Sequence, residues 1–293
     1  MGISKHLSIF RVRATAASTL VLNAVSSAAL TASLSYTAPA LAHEFWMMPR
    51  PSAVAIGGTT QLTLNVGENF KGEVVPFSRQ YVAALRHYRR GKEVDLLPRV
   101  ADSPSVGEFA LRFDTGGTHL LTYEGHPNRI TLGPDKFHAY LQMEGLEHIV
   151  RSREAAGTAN QPARELYRRY VKTLIEVGGD SDQTHTKQTG QRFEILPISS
   201  HLPTARPGDR LTLQLLYEQK PLANALVKAW HLRGNQQLVI QIRTDAAGKF
   251  NIELPYPGVW MLSAVHMIPA ADPATDDWES LWSNLTFVLK PKI

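Results

Sequence analysis

Two spacings of apolar positions alternate along the chain. Between residues 49 and 123 they recur at every second position in short runs, as in the segment TTQLTLNV over 59–66. That is the spacing of strands with one buried face. Further runs of this kind lie at 81–88, 93–100, 108–113 and 119–123, with Gly and Pro between most of them. Gly and Pro punctuate turns, so the region reads as short consecutive strands. The texture then changes. Residues 135–152 and 162–177 carry apolar side chains at three- to four-residue steps, Leu166, Tyr170, Leu174 and Val177 in the second. This spacing predicts a helical pair over about 135–177. Gly178-Gly179 closes it, and the polar run 180–191 reads as a linker. From Phe193 the period of two returns in seven short runs, at 193–199, 210–218, 225–233, 237–244, 249–255, 258–267 and 283–290. That number of short strands suits an immunoglobulin-like sandwich. The fold expected is mainly β: two immunoglobulin-like β-sandwich domains, residues 43–191 and 192–293, with the helical pair inserted between them.

The first 42 residues belong to neither pattern. Lys5, Arg11 and Arg13 precede a stretch from Ala14 to Leu34 without a charge, and Ala38-Pro39-Ala40 and Ala40-Leu41-Ala42 follow. A charged start, an apolar middle and an A-x-A end make a secretory signal peptide. Cleavage is expected after Ala42 or after Ala40, which predicts a periplasmic protein. The stretch is rich in Ser, Thr and Ala, a poor composition for a membrane span.

Composition narrows the chemistry. Lys and Arg number 31 against 26 Asp and Glu, but no acid precedes Glu44, so from His43 onward 28 basic residues oppose 26 acidic ones. A net charge of about +2 removes the case for nucleic acid as a partner. The chain has no Cys. Disulfides, thiolate metal sites and a Cys nucleophile are therefore excluded, and a transition-metal site must draw on His, carboxylates, Met or backbone groups. No Gly-x-Ser-x-Gly, P-loop or His-Glu-x-x-His occurs, so no enzyme class is indicated.

Several segments in order resemble one family of exported proteins, DUF4198, grouped with periplasmic nickel/cobalt-uptake accessory proteins. They are His43-Glu44-Phe45-Trp46, Tyr140-Leu141 with Glu144-Gly145-Leu146, YRRYVKTL over 167–174, PLANALV over 221–227, TDAAG over 244–248, GVWMLSAVH over 258–266 and WESLWSNLTF over 278–287. The resemblance implies a β-rich periplasmic protein linked to metal handling, with a membrane metal transporter as a partner.

His43 carries the metal argument from the residues themselves. Cleavage after Ala42 makes it the first residue, so its α-amine and ring Nδ1 can chelate one ion together, a histidine brace. Both groups titrate near neutrality, with pKa values of about 7.7–8.0 and about 6.5, and can release their protons to a metal. Cleavage after Ala40 places His43 third, where amine, two backbone amides and imidazole form a square-planar set. Either arrangement suits Cu(II) or Ni(II), and the resemblance adds Co. His266, ending the strand pattern GVWMLSAVH, and His231, ending ALVKAWH, are the candidate further ligands, ahead of His119 and His138. Glu44 is a candidate axial or supporting carboxylate, although alternation in an extended segment aims it away from His43. The expected function is periplasmic binding of a divalent transition metal, accessory to uptake or handling. The alternatives are a copper-dependent redox enzyme of the brace type and a metal-free structural or carbohydrate-binding sandwich.

Overall fold

The computed structural model describes residues 43–102 and 108–292; the expected signal peptide lies outside the described residues. All of the described residues fall within one compact unit, Pro39–Ile293.

The first strands are β1 (Glu44–Arg50), β2 (Ala53–Val54), β3 (Thr59–Glu68), β4 (Lys71–Val75), β5 (Val82–Arg89), β6 (Lys92–Asp95), β7 (Glu108–Arg112), β8 (Gly117–Gly125) and β9 (Asn128–Leu132). Two helices follow, α1 (Pro134–Met143) and α2 (Glu147–Ala155), and then the long strand β10 (Ala163–Val177). The remainder is β11 (Phe193–Pro197), β12 (Arg210–Tyr217), β13 (Lys220–Pro221), β14 (Leu226–Arg233), β15 (Gln236–Arg243), β16 (Lys249–Glu253), β17 (Gly258–Pro269) and β18 (Trp278–Leu289).

The fold is mainly β with a helical pair, as the spacing predicts, but the second helix is Glu147–Ala155 rather than 162–177. Residues 163–177 form a strand because both of their faces are buried. Tyr170 and Leu174 pack into one core, and Val171, Ile175 and Val177 into another. A strand covered on both sides shows no period of two, and steps of four fit strand and helix equally.

That strand holds the molecule together. It runs parallel to β18 over Glu165–Thr173 and antiparallel to β9 and β8. The result is a ten-stranded sheet whose main path is β15-β14-β17-β18-β10-β8-β5-β6. Strands from both expected domains thus share one sheet, which continues across the boundary drawn at 191/192. Two four-stranded sheets complete the sandwich layers: β1-β3-β4 with β7, and β11-β12-β13 with β16.

Alternation along the strands assigns the layers. Val227, Ala229, Trp260, Leu262, Leu281 and Leu285 point to the core beneath the β11-β12 sheet. Leu85, Leu121 and Val171 face the core shared with Phe45, Met47, Leu62 and Leu64 of the β1-β3 sheet. The helices cover that second side as well, with Phe137, Tyr140 and Ile149 against Val265, Met267 and Trp282. Side chains at successive positions of the long sheet therefore enter different layers.

Candidate metal centre

β1 enters beside the turn that closes β3 and β4. Glu44 pairs with Gly67, and the two-residue turn Asn69-Phe70 has φ of 60° and 58°, the left-handed pair of a type I′ hairpin. A bulky residue is unusual in that region. Phe70 is held there by its ring, which meets Trp46 edge-on at 5.3 Å within a small apolar cluster with Trp230 and Met261. Gly72 faces Gly67 across the hairpin. A Cβ at Gly72 would lie 2.2 Å from the Val66 carbonyl oxygen and 2.8 Å from Trp46 Cη2, so this approach of Trp46 requires glycine.

The turn supplies the neighbours of the first described residues. His43 Nε2 lies 3.6 Å from Glu68 Oε1, both side chains partly exposed. Glu44 points the other way, as strand alternation demands, and is buried. Its carboxyl is pushed up to about 7, chiefly by burial and then by the neighbouring Glu144; Lys228 and the backbone amides of Glu44 and Asn69 offset part of the rise. Glu144 in turn accepts a 2.8 Å hydrogen bond from Lys228 Nζ, with both groups buried. Burial raises Glu144 as well, against the pull of Lys228. Glu144 is delivered by the helical pair: it caps α1, and Gly145 turns the chain into α2 at φ +68°. A Cβ on Gly145 would meet that of Leu226 at 2.8 Å. Glu44 is thus a member of a buried Glu44–Glu144–Lys228 cluster, on the opposite side of β1 from His43.

The other expected ligands are elsewhere. His231 is buried, stacked on Trp260 at 4.6 Å, and its Nδ1 donates to the Val259 carbonyl at 2.8 Å. His266 packs against Tyr217 at 4.6 Å and Phe193 at 6.0 Å beneath the β11-β12 sheet. Its pKa is lowered to about 4, first by burial and then by His148 and Arg192. A nearby guanidinium also disfavours a metal ion there. His231 pairs with Trp260 across the strands, so it stands six positions from His266, about 20 Å along a strand. One ion cannot join them. His119 is paired instead with His87: His87 Nε2 and His119 Nδ1 are 2.7 Å apart, and His119 Nε2 is 3.0 Å from the Thr115 carbonyl oxygen. The second contact makes His119 Nε2 a donor, so in the neutral ring its Nδ1 accepts from His87 Nε2. Burial accordingly lowers His87 to about 4, helped by His119 and Arg89. His138 Nε2 meets Gln142 at 2.8 Å on α1. Among the described residues, no three His, Asp or Glu gather as a closed metal cage.

Sequence reasoning missed the buried charges. Lys172 bonds Glu194, and Glu165 accepts from Tyr140 at 3.2 Å and from Ser280. The available signal was a lone Lys or Glu inside an apolar strand run, as at Lys228 in LVKAW.

The family described as Domain of unknown function (DUF4198) matches residues 40–268. The chain belongs to the DUF4198 family. No curated protein matches it. Among solved structures, it is similar to a tetra-tandem repeat from the extending region of a large adhesion protein, at 8% identity and a TM-score of 0.22, covering 85% of this chain and 50% of that one. It is also similar to the chicken CNTN1 FN1-FN3 domains, at 5% identity and TM-score 0.20, covering 81% of this chain and 62% of that one. A Salmonella alpha-2-macroglobulin matches at 9% identity and TM-score 0.19, covering 85% of this chain and 16% of that one. The chain thus spans between half and two thirds of the first two. Likeness at this level carries no argument about activity. No helix of the described residues is long and apolar enough to cross a membrane.

Proposed function

We propose that this is an exported metal-binding protein that carries a divalent transition-metal ion at His43 once the preceding residues are removed in the periplasm. The observation that carries the reading is the approach of His43 Nε2 to Glu68 Oε1 at 3.6 Å. A metal-bound imidazole commonly directs its second ring nitrogen at a carboxylate, which fixes the ring and raises its basicity. Here that leaves Nδ1, the atom a terminal histidine shares with its own α-amine. Cleavage after Ala40 would use the same Nδ1 with two backbone amides. Glu44 is engaged by Glu144 and Lys228, and His231 and His266 are held by their own packing, so none of the three is included.

Two protein nitrogens and a supporting carboxylate make an open site. The remaining positions stay exchangeable, which suits an ion that is cargo to be passed to a membrane transporter better than a resident cofactor. Nitrogen donors in this pattern suit Cu(II) or Ni(II).

The test is titration of Cu(II) and Ni(II) into the chain beginning at His43, the same chain with its α-amine acetylated, and the variants His43→Ala and Glu68→Gln. Acetylation and His43→Ala should each abolish tight binding. Glu68→Gln should weaken it by about 10–100-fold, the usual effect of a supporting group. Equal affinity for the free and the acetylated chain overturns the reading.

A further inference from the structure

A pocket of about 510 Å³ opens beside β1, walled by Phe45, Val75, Tyr81, Tyr123, Tyr167 and Arg169. Arg169 is its only cationic arginine or lysine. The guanidinium lies over the Phe45 ring at 4.6 Å and over the Tyr167 ring at 5.0 Å. Rings over a guanidinium occupy its faces and leave the in-plane N–H donors for an acceptor. Its neighbours on β10 are differently placed: Arg164 reaches Asp277 at 2.7 Å, and Arg168 reaches Glu279 at 2.6 Å. Among the described residues Arg169 has neither a carboxylate partner nor a hydrogen-bond acceptor. Tyr123 does not supply the missing charge. Its hydroxyl donates to the Tyr81 carbonyl at 3.1 Å, and burial pushes it up to about 12, so it remains protonated at neutral pH.

We propose that this pocket binds an organic monocarboxylate with a flat apolar body, its carboxylate on the Arg169 guanidinium and its body against Phe45, Tyr123 and Tyr167. Arg169 is half-buried and has no counter-ion, so its free donors are open to an anion entering the pocket, and a planar carboxylate matches the guanidinium fork with two parallel hydrogen bonds. One fixed positive charge balances one negative charge. A phosphate dianion would bring a second negative charge, and beyond Arg169 only the His126 imidazole lines the pocket to meet it. The pocket volume falls in the range of about 300–1,000 Å³ common for small-molecule sites. Burial also lowers the pKa of Arg169 from its ordinary value, yet a guanidinium stays charged at neutral pH.

The experiment uses 3-phenylpropionate as probe, with 3-phenylpropanamide and phenyl phosphate as its neutral and dianionic counterparts. Binding is read by calorimetry and by NMR shifts in chelator-treated protein, so the outcome is independent of any metal at His43. Saturable binding of 3-phenylpropionate is expected, weakened at least about tenfold in Arg169→Gln, the effect of losing one charge-assisted pair. The amide should lose a similar factor, and Arg169→Lys should fall between. Val75→Phe should weaken the probe by narrowing the pocket while leaving Arg169 in place. If Arg169→Gln fails to fold, the amide comparison and Val75→Phe decide. Absence of binding to folded wild type, equal binding of carboxylate and amide, or tighter binding of phenyl phosphate would each overturn the proposal.

Discussion

Two buried lysine–glutamate pairs stand on opposite sides of the long sheet, and they are built differently. Lys172 shares its strand face with Tyr170 and Leu174, toward the β11-β12 sheet. It donates to Glu194 and, at 3.2 Å, to the Ile195 carbonyl. Thr189 adds its backbone N–H at 3.1 Å and its hydroxyl at 2.7 Å to the same carboxylate. Lys228 shares its face with Trp230, toward the β1-β3 sheet and the helices, and holds Glu144 at 2.8 Å. There a second carboxyl, Glu44, joins the group, and Glu144 and Lys228 are the charged side chains that set its titration. The first site has one cation, one anion and three further donor or acceptor contacts. The second has one cation for two acids, so it is neutral only while one acid keeps its proton. Charge count, more than burial, decides whether such a site is a fixed peg or a titrating one.

The largest expected effect comes from breaking the balanced site. Lys172→Met leaves Glu194 fully buried with no cation, and removal of one member of a buried pair costs about 3–5 kcal/mol. Urea unfolding at pH 7 should show a loss in that range. A loss below about 1 kcal/mol, the value of an exposed pair, would mean that the site is not the buried pair described.

What could be read beforehand divides along the same line. Strands with one solvated face, such as β15 and β16, show their period of two directly. β10 does not, because Tyr170 and Val171 enter different cores, and its even-numbered apolar residues imitate a helix. Helical spacing was legible over 135–152, but as one helix; its division into α1 and α2 at Gly145 was not, because the reason for that glycine lies in Leu226, eighty-one positions along the chain, and no local pattern carries that. His43 could be singled out from the cleavage pattern alone. Its partner Glu68 could not, because the contact depends on the Asn69-Phe70 turn. Strand-end positions suggested His231 and His266 as ligands, but the interior layer on which each one packs, Trp260 for the first and Tyr217 for the second, is a property of the assembled sheets.

Breaking the unbalanced site should cost less and depend on pH. Lys228→Met leaves Glu144 and Glu44 without a cation, but both carboxyls are already raised by burial and can take up protons. A loss of about 2–4 kcal/mol is expected at pH 8, shrinking toward pH 5 as both acids become neutral. Parallel unfolding curves for Lys172→Met and Lys228→Met at the two pH values sharpen the comparison. A pH-independent loss for Lys228→Met would erase the distinction between the sites.

The smallest effect isolates the extra acid. Glu44 has its pKa raised from 4.5 to about 7 in the fold, so the folded state holds the proton more tightly than the unfolded chain. Its contribution to stability is complete below pH 4.5 and is lost as pH rises through about 7. A shift of that size corresponds to at most about 3 kcal/mol. Glu165 and Glu176 are also raised to about 7, chiefly by burial, and slope the same way. His87 and His266, lowered to about 4, slope oppositely, losing stability as pH falls below about 6.5. The wild-type curve therefore mixes both trends, and the informative quantity is the difference between Glu44→Gln and wild type. Gln keeps the shape of the protonated acid without its titration. The variant should match wild type within about 1 kcal/mol at pH 4.5 and exceed it by about 1–3 kcal/mol at pH 8, where wild type must hold a buried second anion. A difference curve that stays flat from pH 4.5 to 8 would show that Glu44 does not titrate against Glu144. The two lysine sites would then differ in their hydrogen bonds and not in their charge.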